Sequence, residues 1–322
     1  MSEKNTAVKR NRKLDVKDIA VILVFVGLCA IMAIAKGDIF LTGSNIENIF
    51  KQIATNAILA GGMTVVLLIG GIDLSVGSVA CLSSLITTMI LRASGGGNLV
   101  LAILVGLLLG AVLGTINGII ITKIKIPYFI VTLAMMTVAR GVGYLLTDGL
   151  PIYDLGDAFQ QIGKGFFLGL PIPFWIIVIV YAILFIVLNY MKFGRYIYAI
   201  GGNAEAVRLS GINVDLYTTA AYTLSSTLAA LAGIVLASRL TSGQPTACDG
   251  WEMDAIAATV IGGTKLTGGD GKILMTLIGA LILGVMSNGL NLMQVSSYWQ
   301  FVMKGIVILV AVGLSGVNVK KK

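Results

Sequence analysis

Apolar runs of about twenty residues recur along the whole chain with hardly a charge inside them, and this limits what the chain can fold into. Roughly 20 apolar residues is the length that carries a helix across the hydrocarbon of a bilayer. Such runs lie near 18–35, 47–70, 75–93, 98–122, 127–147, 171–190, 216–240, 273–293 and 298–317. One more, Ile256–Ile261 with its flanks, is too short to cross as a regular helix and borders the glycine-rich stretch Gly262 to Gly269. It is expected to be a broken or partly re-entrant segment. Only 12% of the 322 residues are charged and 57% are hydrophobic, too little charge to cover the surface of a soluble domain. The expected fold is all-α, a polytopic transmembrane helix bundle over 18–317 with about ten spans.

Charge placement sets the expected orientation. The formal charge of +8 is scattered between spans rather than gathered on one polar face, so it points to membrane topology and not to nucleic acid. With the N terminus inside, most of the 23 basic residues fall in cytoplasmic segments. These are the basic tail 1–17, the turn holding Lys123 and Lys125, the loop 191–215, the stretch with Lys265 and Lys272, and the tail 318–322 with Lys320 to Lys322. One crossing fewer would leave that last cluster outside. No small-x-small cleavage site follows Ile19–Ala35, so the first span is read as retained.

Several chemistries are excluded. Without a single histidine, a Ser-His-Asp triad or an HExxH site cannot be built. Cys29, Cys81 and Cys248 have neither disulfide nor metal-ligand spacing. Near Gly271-Lys272, Leu266 stands where a phosphate-binding loop needs its first glycine and Ile273 where it needs Ser or Thr. No catalytic residue, metal ligand or cofactor is therefore expected on this chain.

Polar residues inside spans are the remaining candidates. Arg140 and Lys304 each cost about 2.5–3.5 kcal/mol to insert. Arg140 is expected to snorkel outward, and neither is expected to meet an acid deep in the bundle. A pathway with so little charge suits a neutral, hydroxylated solute. Asn117, Asn288, Asn291 and Gln294 lie in or near spans and could line that pathway or equally bond neighbouring helices. Asp73 and Asp254 fall at span ends. Asp73, followed by Ser75, reads as the N-cap of the helix beginning at Leu74. The pattern GGxxL[S/T]xG occurs at 70–77 and again at 262–269. Gly106, Gly110, Gly114 and Gly118 recur every fourth residue and predict a close helix–helix contact.

The loop 191–215 reads as carrying a short capped helix. Asn203 caps its start, Glu205 sits in the first turn and Arg208 pairs with it at i,i+3. Gly211 ends it, with Ile212 folding back on Val207. A helix this short is marginal alone in water and needs the bundle or a partner to lean on.

Glu205-Ala206 followed by Gly211 resembles the E-A-A-x-x-x-G coupling motif of ABC-transporter permeases, with Val207 in place of the second alanine. The segments 194–214, 62–78, 253–269 and 276–300 resemble the branched-chain amino acid and monosaccharide permease family, in particular its ribose-type sugar members. The resemblance runs from Asn45 to Val312. It implies a non-enzymatic permease subunit of an ATP-driven importer in a bacterial inner membrane, with both termini cytoplasmic. ATP and Mg would be bound by a separate ATPase, usually of tandem cassettes. An extracytoplasmic sugar-binding protein would deliver the monosaccharide, with ribose foremost, and a second copy of the chain would complete the pathway. Asn203, Glu205, Ala206, Arg208 and Gly211 would then form the surface that couples to the ATPase. The sequence departs from the family around Thr246–Trp251, where members usually carry small residues. The alternative is an ion-coupled secondary transporter of a small neutral solute, which needs an acidic residue mid-span.

Overall fold

The computed structural model describes residues 16–317. The expected basic tail falls outside them up to residue 15, and so does the expected tail 318–322. The chain forms α1 (Val16–Phe40), α2 (Gly43–Leu68), α3 (Val76–Ala93), α4 (Leu99–Ile119, running on through a π-turn at Ile120–Ile124) and α5 (Tyr128–Thr147). There follow α6 (Asp157–Lys164), a small hairpin of β1 (Phe166–Phe167) and β2 (Leu170–Pro171), α7 (Ile172–Tyr190), α8 (Lys192–Leu209) and α9 (Val214–Leu240). The last elements are α10 (Trp251–Ile261), α11 (Ile273–Leu292) and α12 (Ser297–Val317). Among the described residues, α1 to α5, α7, α9 and α11 are long and apolar enough to cross a membrane, and α12 lies over the last expected span.

The bundle is apolar on its outside as well as within. Leu23, Val24 and Ile34 of α1, Leu104 and Leu108 of α4, and Leu145 of α5 are exposed. A surface of that kind is a liability in water and the ordinary state in lipid. Inside, α2, α3 and α9 are the most enclosed helices. The glycine row of α4 lies against α9, where a methyl on Gly114 would stand 2.5 Å from the Tyr222 carbonyl and one on Gly110 2.6 Å from that of Ser226. Bare backbone lets the two helices touch where any side chain would hold them apart.

The short apolar run proves to be the second half of a broken crossing. After α9 the chain turns back and descends without helix alongside α3. Gly243 meets Thr88, the Cys81 thiol donates to the Pro245 carbonyl at 3.3 Å, and Cys248 packs on Gly77. Gly250, at φ 74°, then starts α10, which completes the passage in eleven residues. Non-helical backbone at this depth must find partners in the protein. Arg140 of α5 supplies them, donating to Pro245 O at 3.1 Å and Ala247 O at 2.7 Å. Arg140 does not snorkel outward as expected; it holds the non-helical strand in place.

The loop 191–215 is mostly helix. α8 begins at Lys192 and is broken at Asn203 (φ −162°, ψ 96°), so the expected short helix is its second limb. At this end of the bundle the two GGxxL[S/T]xG segments touch. The Gly269 amide donates to Leu68 O at 2.9 Å, and a methyl on Gly268 would lie 2.7 Å from Gly70 N. Gly201 of α8 packs against both strands, at Leu68 O and Gly269 N. Three backbones thus meet at one point with no side chain between them.

Candidate functional site

Two places in this fold carry function-bearing groups, one at the exposed end of α8 and one beside the broken crossing. At α8, Asn203 Oδ1 accepts from Ala206 N at 3.0 Å, which restarts the helix after the break. Gly211 adopts φ 79° and Ile212 N returns to Val207 O at 3.4 Å, the hydrogen-bond pattern of a glycine stop. Ile200, Val207 and Val214 bury a small apolar cluster beneath the limb. On its outer face Arg208 reaches Glu205 at 3.3 Å and Asp215 at 3.5 Å, and Asp215 also meets Lys123 at 3.2 Å. Such exposed pairs stabilise little, so the buried cluster beneath the limb and its two caps carry its orientation. Leu209 stands 81% exposed beside them, a large apolar group at the tip of a polar helix.

The second place is a cavity of about 700 Å³ between α2, α9, α10, α11 and α12. Its wall includes Gln52 and Asn56 of α2, Gln244, the start of α10 at Trp251 and Glu252, and Lys304 of α12. Two expectations are corrected here. Lys304 does have an acidic partner, with Nζ 2.7 Å from Asp254 Oδ2. Asp254 is also not at a span end; it lies on the half-helix α10, buried within the bundle. Glu252, equally buried, was missed altogether. The one available signal was the acidic spacing Asp249, Glu252, Asp254, which means little until the crossing is known to break at Gly250.

Asp73 is likewise not the N-cap of α3. Ser75 occupies that position, without a side-chain capping bond. The loop carrying Asp73 folds inward between α4 and α9, and the carboxylate is wholly buried. Its Oδ1 accepts from Ser75 N at 3.0 Å and Ser75 Oγ at 2.6 Å, while Ser225 Oγ donates to Oδ2 at 3.2 Å. Asn117 closes the network by donating to Ser75 Oγ at 3.0 Å. The other three polar span residues also meet helix partners or turns. Asn288 and Asn45 exchange amide bonds of 2.9 and 3.2 Å between α11 and α2. Asn291 accepts from Gln300 at 2.8 Å, and Gln294, at φ 57°, makes the turn into α12. None of the four lines the cavity. Among the described residues no group of His, Cys, Asp and Glu is placed to hold a metal ion.

A bundle that is apolar outside, crossed by one broken segment beside a half-open cavity and fitted with a capped helix at one end, defines a multi-pass membrane protein. The chain belongs to the family described as branched-chain amino acid transport system / permease component, whose profile matches residues 45–312. It is similar to the ribose import permease protein of Bacillus subtilis (strain 168), with 51% identity over 293 residues covering 89% of this chain and 90% of that one. The corresponding permease of Haemophilus influenzae is 48% identical over 289 residues, 88% of each chain. The L-arabinose transport system permease protein of Escherichia coli (strain K12) is 38% identical over 273 residues, 85% of this chain and 83% of its own. No solved structure matches the chain significantly.

Proposed function

We propose that this chain is the transmembrane subunit of an ATP-driven importer of ribose in a bacterial inner membrane. The observation that carries the reading is near-half identity to ribose import permeases over almost the whole of both chains. In this reading the α8 end faces the cytoplasm with both termini. A separate ATPase, of tandem cassettes, binds ATP and Mg there, and an extracytoplasmic binding protein presents sugar at the α6 end to a pair of permease copies.

The second limb of α8 is suited to the coupling role because it is rigid where it must push. Caps at both ends keep Ala204 to Leu209 helical, the buried cluster beneath fixes its rotation, and Leu209 offers an apolar contact to a docking groove. A push on the limb passes through Gly201 to the backbones at Leu68 and Gly269. Those two loops lead into α3 and α11.

The test is labelled ribose uptake in cells with and without this chain, comparing ATP depletion with collapse of the proton gradient. Uptake that needs the chain and stops on ATP depletion alone supports the importer, and Glu205→Lys is expected to abolish it. Uptake that follows the gradient would overturn it in favour of an ion-coupled carrier.

A further inference from the structure

The cavity beside the break has the lining of a polyol site. We propose that it binds one monosaccharide within the permease itself, so that this subunit takes part in selecting the sugar. The proposal deepens the importer reading and rests on it.

Size comes first. About 700 Å³ falls inside the range of roughly 300–1,000 Å³ typical of small-molecule pockets. The lining is mixed in the way a sugar is mixed. Trp251 and Phe301 offer aromatic surface for a C–H face, while Gln52, Asn56 and Gln244 offer amides for hydroxyls.

Of the five charged residues in the wall, Lys304 and Asp254 pair with each other and Arg239 bonds the backbone, while Glu252 has no basic partner among the described residues. Lys304 is held by Asp254 at 2.7 Å, Asp249 approaches Arg140 at 4.0 Å, and Arg239 donates to Lys51 O at 3.2 Å. An amino-acid zwitterion would find Glu252 for its ammonium group but would have to break such pairs to seat its carboxylate; a neutral polyol leaves them intact. Two acceptors remain. Asn56 Oδ1 is buried with no donor among the described residues. The Glu252 carboxylate, in the first turn of α10, faces the same cavity and accepts from its own backbone amide, which leaves lone pairs to spare. A buried acceptor without a donor calls for an explanation; with the Asn56 amide turned so that its oxygen meets the void, that oxygen and the spare lone pairs of Glu252 would accept from sugar hydroxyls.

The break itself supplies part of the lining. Gln244 and Thr246 to Gly250, which precede the helix, and Trp251, Glu252 and Asp254, which begin it, all contribute to the wall.

The experiment uses the purified chain in lipid nanodiscs, without binding protein or ATPase. Trp175→Phe and Trp299→Phe leave Trp251 as the reporter, since the chain has three tryptophans. Ribose is expected to give a saturable fluorescence change that leucine does not give. Glu252→Gln and, separately, Asn56→Leu are expected to weaken it at least tenfold. Should either variant lose its fold by size-exclusion profile, Ser287→Leu narrows the same cavity from α11 with the same expected loss. No saturable response to ribose, an equal response to leucine, or folded variants that bind unchanged would each overturn the proposal. ATP-dependent uptake without binding here would sink this inference alone. Binding here without ATP-dependent uptake would sink the importer reading alone.

Discussion

Lys304 Nζ stands 2.7 Å from Asp254 Oδ2 and ties α12 to the half-helix α10 across 50 residues of sequence. α12 packs chiefly on α10, and most of its described side chains face outward, so this pair is its main polar anchor. Removing one partner leaves the other charged, mostly buried and uncompensated. Lys304→Ala is expected to destabilise the protein by about 3 kcal/mol, read as a lower thermal unfolding midpoint in detergent. The double variant Lys304→Met with Asp254→Asn should recover most of that loss. Equal midpoints for the wild type and Lys304→Ala would show that the pair does not anchor α12.

Gly201 and Gly202 are neighbours with opposite surroundings. A methyl on Gly201 runs into Leu68 O and Gly269 N, while one on Gly202 meets nothing within 4 Å. Gly201→Ala is therefore expected to pry α8 from both loops and to cut uptake at least tenfold with ATP hydrolysis by the assembled transporter retained. Gly202→Ala should leave both near normal. Equal effects from the two variants would dismiss the three-backbone contact as a route for the push.

Arg140 holds the strand 241–250 by two carbonyls; without it Pro245 O keeps the Cys81 thiol, while Ala247 O is orphaned at a cost of about 1–3 kcal/mol. Arg140→Ala should therefore let the strand open. Cys248, now 3% exposed, reports this directly. In a Cys29→Ala, Cys81→Ser background, maleimide labelling of Cys248 is expected to rise severalfold in Arg140→Ala and only slightly in Arg140→Lys. An unchanged labelling rate would mean that other contacts hold the strand.

The cap at Asn203 makes a local prediction. Asn203→Ala removes the bond to Ala206 N and is expected to cost the limb about 1 kcal/mol. Hydrogen exchange at the amides of 206–209 should quicken roughly fivefold while the amides of α9 stay as they were. Exchange that quickens throughout would point to global destabilisation instead.

What the sequence made readable was whatever acts over a few residues. The run lengths placed the long helices, the fourfold glycine spacing announced the α4–α9 contact, and the caps at Asn203 and Gly211 were visible because each closes a bond within three to five residues. The helix before Asn203 was not visible, because Phe193 and Ile197 pack onto the bundle and no local signal stands in for that burial. Asp73 and Asp254 were read as boundary acids, and Glu252 was not read at all, for a related reason. Their segments leave helical geometry and fold into the interior, so distance from the end of an apolar run stops measuring depth. Pairs such as Lys304 with Asp254 or Arg140 with the 245–247 carbonyls join residues far apart in sequence, and no spacing rule on one chain links them.

Translation delivers residues 241–250 after α3 and α5, and for this strand the order is a requirement. A regular helix can leave the translocation machinery for lipid by itself because it satisfies its own backbone. The strand cannot, since Ala247 O depends on the Arg140 guanidinium and Pro245 O on that group and the Cys81 thiol, all made a hundred residues or more earlier. It must therefore dock onto a half-finished bundle rather than partition into the bilayer. Biogenesis of this protein ends in a folding step that hydropathy alone cannot drive.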